Sequence, residues 1–580
     1  MSFVTRLQWF FKTRWLHYTL AISLMTAVSL LQTIPPKMIG NTIDHIQKGG
    51  LTASELSRTV LLLVGLALLL YVLVYAWITT LFGNSALLEK LLRGRFMAHL
   101  TRMKPSFFQR NSTGQLMALA TNDILAIGNT SGYGVMTLVN TLVGASVVIV
   151  TMISLIDYKL MLAALVPLPM LAVIINLLGK KVRARFLAAQ NAFGKMNDHA
   201  LESISGIRVI RSYVQENHDL DAFDNVTTEV MERNREVSQL NALFQPLISL
   251  IVGVSYSIGI GYGSYLVFHD EITLGQLISF NIYLGMLIWP MISFGEFINV
   301  LQRGNASADR VEQSFVQEPD VVNPAVPVEV DLPVSIEMRG LTFTYPSAVQ
   351  PSLQQVSFRL ERGQTLGIVG RTGSGKSTLL KQLLRQYPIA EEQLLISGVP
   401  VEQLALERVK AWVAYVPQEH LLLSKSIRDN IALGKPDATD AEIAKAVEMA
   451  SFTTDIEGMP DGMGTIVGEN GVMLSGGQKQ RLAIARALLI DAEILAMDDS
   501  LSAVDARTES RILNHIRKER AGKTTFISTH RLSAVSHADW ILVLDEGRIL
   551  EEGTHEQLMH IGGWYRQQWD RQQMEASLEE

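Results

Sequence analysis

A glycine-rich run, Gly370-Arg371-Thr372-Gly373-Ser374-Gly375-Lys376-Ser377, follows the apolar Leu366-Gly367-Ile368-Val369 and precedes the helix-forming stretch Thr378 to Arg385. Strand, glycine loop and helix in that order are suited to holding phosphates. The glycines let backbone N–H groups close around phosphate oxygens, and the helix N-terminus adds a favourable dipole. Lys376 would neutralise β and γ oxygens, Ser377 would ligate Mg²⁺, and Gly370, Thr372, Gly373, Ser374, Gly375 and Thr378 complete the cradle. Further on, Ile494-Leu495-Ala496-Met497 ends in Asp498-Asp499. This is the form of a buried parallel strand whose terminal carboxylate reaches a metal, so Asp498 is expected to hold Mg²⁺ through water. Alone, such an ending would be an ordinary turn; the phosphate loop upstream favours the metal. Between the two stands Leu474-Ser475-Gly476-Gly477-Gln478, before the helical Leu482 to Leu489. Ser475 and two glycines at a helix start make a second anion cradle.

The elements around these residues divide the chain. At 580 residues it exceeds one hydrophobic core. Apolar residues make up 48% and mean hydropathy is +0.21, yet the long uncharged runs fall almost entirely before about residue 300. Runs of spanning length, roughly 20 residues each, lie at Tyr18 to Ile39, Thr59 to Phe82, Tyr133 to Ile156, Leu160 to Gly179, Leu243 to Phe268 and Ile272 to Phe294. Two long basic segments separate them, one with Lys90, Arg93, Arg95, Arg102, Lys104 and Arg110, the other with Lys180, Lys181, Arg183, Arg185, Arg208 and Arg211. The excess of positive charge places both in the cytoplasm, and six spans then place both chain ends there too. These segments carry helical periodicity, so the spans are expected to continue beyond the membrane. Met1 to His17, with Trp9, Phe10, Phe11 and Trp15 among basic residues, suits a helix in the headgroup region. The expected domains are a membrane domain over 1–315, a proline-rich linker over 316–333, a soluble domain carrying the phosphate loop over 334–569 and a frayed tail over 570–580. A net charge of −6 gives no electrostatic basis for a nucleic-acid partner. The absence of cysteine excludes disulfides, thiolate catalysis and Cys-ligated zinc.

With its order after the phosphate loop and before the acidic strand end, Leu474 to Gln478 resembles the signature of the ATP-binding cassette superfamily. That resemblance implies an all-α six-span transmembrane domain plus an α/β P-loop nucleotide-binding domain, with ATP and Mg²⁺ as cofactors. It also implies roles for single residues. Tyr345 in Phe343-Thr344-Tyr345-Pro346 would stack on adenine, Gln418 in Val416-Pro417-Gln418 would sense Mg²⁺ and the attacking water, and His530 in Ser528-Thr529-His530 would contact the γ-phosphate. Ser502 to Asp505 would cross to a partner cassette, whose nucleotide would meet Ser475, Gly476, Gly477 and Gln478. Phe107-Phe108, Thr113 to Leu116, Thr121 to Asp123, Gly206 to Ile210 with Glu216, and Thr465 to Gly471 resemble the loops and the pre-signature element of six-helix exporters. Fusion of both domains on one chain favours export.

One position departs from the pattern. Where the family usually has Glu after the acidic strand end, this chain has Asp499. Glu there polarises the attacking water; Asp is one methylene shorter, so its carboxylate falls short by roughly 1 to 1.5 Å. The chain thereby resembles the impaired-site half of heterodimeric multidrug exporters. The implied partners are a second half-transporter carrying Glu at that point, a hydrophobic or amphipathic small-molecule cargo, and a lipid bilayer, the bacterial plasma membrane. A homodimeric lipid flippase, a peptide exporter, a metal-conjugate exporter and a nucleotide-gated channel or sensor share the architecture.

Overall fold

The computed structural model describes residues 3–346, 348–468 and 472–579, with the side chains of 168, 169, 171, 172, 175, 176, 576, 578 and 579 set aside. Two compact units divide the chain. One takes in everything up to Thr101 together with Thr113–Gln317; the other takes in Arg102–Ser112 together with the chain from Glu318 onward.

The first unit is helical. Among the described residues, five segments are long and apolar enough to cross a membrane: Trp15–Gln47, Ala53–Leu100, Thr113–Leu155, Glu216–Phe268 and Leu274–Val316. The other expected span, Leu160 to Gly179, falls on two helices, Tyr158–Leu165 and Leu168–Ser205, which meet at Val166 and Pro167. Pro167 has no N–H to give the preceding turn, so the ladder is interrupted there. Ala53–Leu100 has 48 residues. At about 1.5 Å per residue it is about 70 Å long, more than twice the roughly 30 Å of a bilayer core. Helices thus continue past the membrane, as their periodicity predicts. The helix Thr113–Leu155 contains three π-helical turns, Leu119–Asp123, Thr130–Gly134 and Asn140–Gly144. Asp123 in the first accepts from Ser307 at 2.7 Å and pairs with Arg310. Glu296 lies well inside Leu274–Val316 and accepts from Tyr133.

Small residues bring the first and last spans together. A Cβ on Gly275 would lie 2.0 Å from the Gly40 carbonyl oxygen, and one on Gly40 would lie 2.1 Å from Ser279 Oγ. The close approach leaves room for polar bonds in which Asp44 accepts from the Gly275 N–H at 2.8 Å and Ser279 donates to the Pro36 carbonyl at 2.9 Å. Without a hydrophobic drive between helices in lipid, such packing supplies the association. Gly275→Val is accordingly expected to destabilise this unit by about 1 to 3 kcal/mol through overpacking. Thermal unfolding in detergent reads the change, and an unaltered midpoint would show that the two helices separate freely.

The second unit is α/β. Its strands are β1 (Ser335–Phe343), β2 (Leu353–Glu361), β3 (Thr365–Gly370), β4 (Leu394–Ile396), β5 (Val399–Pro400), β6 (Val413–Val416), β7 (Lys425–Ser426), β8 (Ile466–Val467), β9 (Ile494–Asp498), β10 (Thr524–Ser528), β11 (Trp540–Asp545) and β12 (Arg548–Gly553). Six form a sheet in the order β12-β11-β3-β10-β9-β6, parallel except for β12. β9 and β10 are buried along their whole length, as a parallel sheet covered on both faces requires. Alternate residues of β9 feed two cores: Leu495 and Met497 one, Ile494 and Ala496 the other. A smaller antiparallel sheet, β2-β1-β4-β5, adjoins them. Of the expected pre-signature element, Ile466 and Val467 form β8 against β7; Glu469 to Gly471 lie outside the described residues.

The short helix Pro105–Arg110 belongs to this second unit although its sequence lies between two spans. Ser106 donates to Asp320, and Gln109 Nε2 donates to Tyr387 Oη at 2.8 Å. At the other end of the chain, residues 570–579, expected to fray, continue the helix Trp564–Glu579. Buried Tyr565 and partly buried Trp569 hold it on the cassette core.

Candidate active site

Parallel register brings the candidate residues together. Ile368 pairs with Ser528, Ser528 with Asp498, and Val416 with Met497, so β3, β10, β9 and β6 end level with one another. Loops leaving this carboxyl edge carry the glycine run, His530, Asp499 and Gln418, and such an edge is where open α/β sheets hold ligands. A cavity of about 300 Å³ opens there, lined by Tyr345, Ser352, Thr372 through Thr378, Gln418, Asp498, Asp499, Ser528 and His530.

Two glycines are required by the backbone. Gly370 has φ +147° and a Cβ on it would lie 2.1 Å from the Leu544 carbonyl oxygen; Gly375 has φ +103° and its Cβ would meet the Ser352 carbonyl oxygen at 2.6 Å. Gly375 directly precedes the helix Lys376–Leu383, whose start faces the cavity. Lys376 Nζ donates to the carbonyls of Gly370 and Arg371, each at 3.0 Å. Burial holds that ammonium below its ordinary pKa, opposed by Asp499 and Asp498.

Asp498 is 2% exposed. It accepts from Ser377 Oγ at 2.8 Å, Tyr415 Oη at 3.1 Å and Ser528 Oγ at 3.3 Å. A hydroxyl and a carboxylate side by side at a cavity wall are hard oxygen donors that fit Mg²⁺. Asp499 occupies the left-handed region, with φ 46°, and its N–H donates to the Ser528 carbonyl at 2.8 Å. Burial raises its carboxyl above the ordinary range, opposed mainly by His530 and Lys376. Burial, then Lys376, lowers His530 below the usual imidazole value, so its ring is neutral near pH 7. Tyr345 Oη lies 3.1 Å from Thr378 Oγ1, and its ring meets Tyr387 edge-on at 5.2 Å.

The signature residues are elsewhere. Ser475 caps the helix Gly476–Ile490 in a reciprocal box with Gln478, and none of Ser475 to Gln478 lines the cavity. Asp455 orders this start, accepting from Gln478 Nε2 at 3.1 Å and from Arg481 Nε at 3.0 Å. Gln480 ties in the following loop: its Nε2 donates to Ser502 Oγ at 3.2 Å and its Oε1 accepts from the Ala503 N–H at 2.9 Å. Asp505, expected to reach a partner, caps the helix Ala506–Glu519 by accepting from the Thr508 N–H at 2.9 Å.

Two family models divide the chain between them, one described as the ABC transporter transmembrane region over residues 18–291 and one as ABC transporter over 353–502. A Bacillus subtilis protein named a probable multidrug resistance ABC transporter ATP-binding/permease protein, YheI, is 51% identical over 99% of this chain and 98% of its own. The chain belongs to the ABC transporter family. This ABC exporter carries its transmembrane and ATP-binding domains on one polypeptide, an integral membrane ATPase. The multidrug resistance-like ATP-binding protein MdlA of Escherichia coli is 39% identical over 100% of this chain and 98% of its own. An ATP-dependent lipid A-core flippase of Syntrophus aciditrophicus is 32% identical over 82% and 78%. A solved bacterial Atm1-family ABC exporter with ATP bound shares the fold, with a TM-score of 0.78 over 97% of this chain and 98% of its own at 24% identity.

Sequence reasoning did not single out Ser352 and Ser528, which line the cavity, or Tyr415, which donates to Asp498. Tyr415 had a signal: a phenol in an otherwise apolar strand needs a partner for its hydroxyl, and the neighbouring strand ends in a carboxylate. For Ser352 nothing in the sequence pointed to the cavity.

Proposed function

We propose that this chain is one half of a heterodimeric exporter of amphipathic drugs or other hydrophobic compounds, and that its own ATP site is the slow one of the pair. Asp499 carries this reading: a carboxylate one methylene short stands where the family's water-polarising Glu belongs. ATP lies in the cavity, with Lys376 on its β and γ oxygens, the glycine loop around its phosphates, Tyr345 against adenine and His530 at the γ-phosphate. Ser377 and Asp498 would hold Mg²⁺, which would supply positive charge against the phosphates, and Gln418 would sense it together with the attacking water. The second chain's signature completes this site, while Ser475 to Gln478 complete the second chain's. Their absence from the cavity's lining supports that exchange, and the exposure of Ile207, Val209, Tyr213 and Val214 around the second cytoplasmic loop leaves apolar surface for a second chain. The multidrug names of two relatives support the cargo; the flippase relative supports lipid as a second reading. Binding energy that differs between two states of the pair drives the cargo across. The measurement is uphill efflux of a fluorescent amphipathic dye into inverted vesicles holding this chain with the second chain that co-purifies in mild detergent. ATP-dependent accumulation is expected. A passive current that ATP merely opens would make the pair a gated channel instead.

A further inference from the structure

The C-terminal helix stands outside the cavity, yet one of its side chains holds a loop that enters it. Glu551 fixes the helix start by accepting from the backbone N–H groups of Trp564 and, at 3.1 Å, Tyr565. A carboxylate is favourable at that end of a helix. Tyr565 and Trp569, one turn apart, stack at 6.4 Å against the cassette core. Gln572, three residues on, falls on the same helix face. Its Nε2 donates to the His530 carbonyl at 2.8 Å and its Oε1 accepts from the Leu532 N–H at 2.9 Å. Only this orientation of the amide satisfies both backbone groups. Arg531, between them, is held from another side: it donates to the carbonyls of Val504 at 2.8 Å and Ser502 at 3.1 Å, and to Glu509 at 2.5 Å. On the N-terminal side the Thr529 N–H donates to the Ile368 carbonyl at 3.1 Å, so the backbone on both sides of the His530 side chain is pinned directly after β10.

We propose that Gln572 is a positioning residue that aims the His530 ring at the terminal phosphate of a bound nucleoside triphosphate. The cavity's preference for triphosphate over diphosphate then depends on an amide in the C-terminal helix. This rests on the reading of His530 given above, and the test separates the two. Dissociation constants of the full-length chain in detergent are measured for MgADP and for the non-hydrolysable imido analogue of MgATP. Gln572→Met keeps the length and packing of the side chain and removes both bonds. Its affinity for the analogue is expected to fall about 2- to 10-fold, the worth of one hydrogen bond, with MgADP essentially unchanged. In a His530→Ala background the same substitution should add nothing, because both changes then act through one ring. If His530→Ala loses the preference and Gln572→Met keeps it, the inference fails and the site reading stands. Equal weakening of both nucleotides, or effects that add in the double variant, would make Gln572 a structural residue and overturn the proposal. If His530→Ala itself keeps the preference, the site reading falls and the inference falls with it.

Discussion

Lys376→Ala is expected to weaken ATP binding at this chain's own cavity by about a hundredfold. In the structure the ammonium is drawn in by two loop carbonyls, is 6% exposed and is disfavoured by burial. A triphosphate entering the cavity supplies the charge that such a site lacks. Hydrogen bonds to charged groups contribute about 1.5 to 3 kcal/mol each, and one strong bond at the upper end corresponds to about a hundredfold in affinity. Replacement by Ala leaves the Gly370 and Arg371 carbonyls beside the cavity, where they repel phosphate oxygens. The measurement is equilibrium binding to full-length chain in detergent, made without the second chain so that only this cavity reports. Unaltered affinity would remove the glycine loop from the phosphates.

Asp499→Glu should raise hydrolysis at this site, by up to about a hundredfold if the missing methylene is the sole defect, because misplacement by about 1 Å costs that much. The environment is otherwise suited to a base: burial raises the carboxyl of Asp499, and neutral His530 stands nearby. The chain alone should show little ATPase and the pair robust activity. Asp499→Asn should change the pair's steady rate modestly, while Glu→Gln in the second chain should nearly stop it. Substrate-stimulated phosphate release from purified protein decides the matter. Vigorous hydrolysis by this chain alone, abolished by Asp499→Asn, would falsify the heterodimer reading and leave a working homodimer.

The convergence of the candidate residues on one cavity was largely legible because its parts are local. A glycine loop between strand and helix is contiguous, and Asp498, Gln418 and His530 each follow an apolar strand whose end can be read from sequence. Parallel pairing then brings those ends together, which the alternation of apolar strands with helices already implies. What stayed hidden depends on contacts across long separations. The Tyr415 hydroxyl finds Asp498 through strand order, and Gln572 finds His530 through the packing of a helix whose polar composition suggests a loose end. In the membrane unit, hydropathy located each of the five segments that, among the described residues, are long and apolar enough to cross a membrane. It did not show that Pro167 would divide the other expected span, because an average over a window is blind to a single missing N–H.

The helix Pro105–Arg110 raises a question of manufacture. Its bonds to Asp320 and Tyr387 make it part of the cassette's body, although its codons lie far upstream, between those for two spans. A cassette cut free at the linker therefore emerges incomplete, with the Tyr387 hydroxyl bare of its contact beside Tyr345, whose ring meets that of Tyr387 and lines the cavity. Rates and affinities measured on such a fragment describe an altered object. Exchanging cassettes between two transporters of this kind calls for two transplants rather than one, the C-terminal domain and the Arg102–Ser112 segment that completes it.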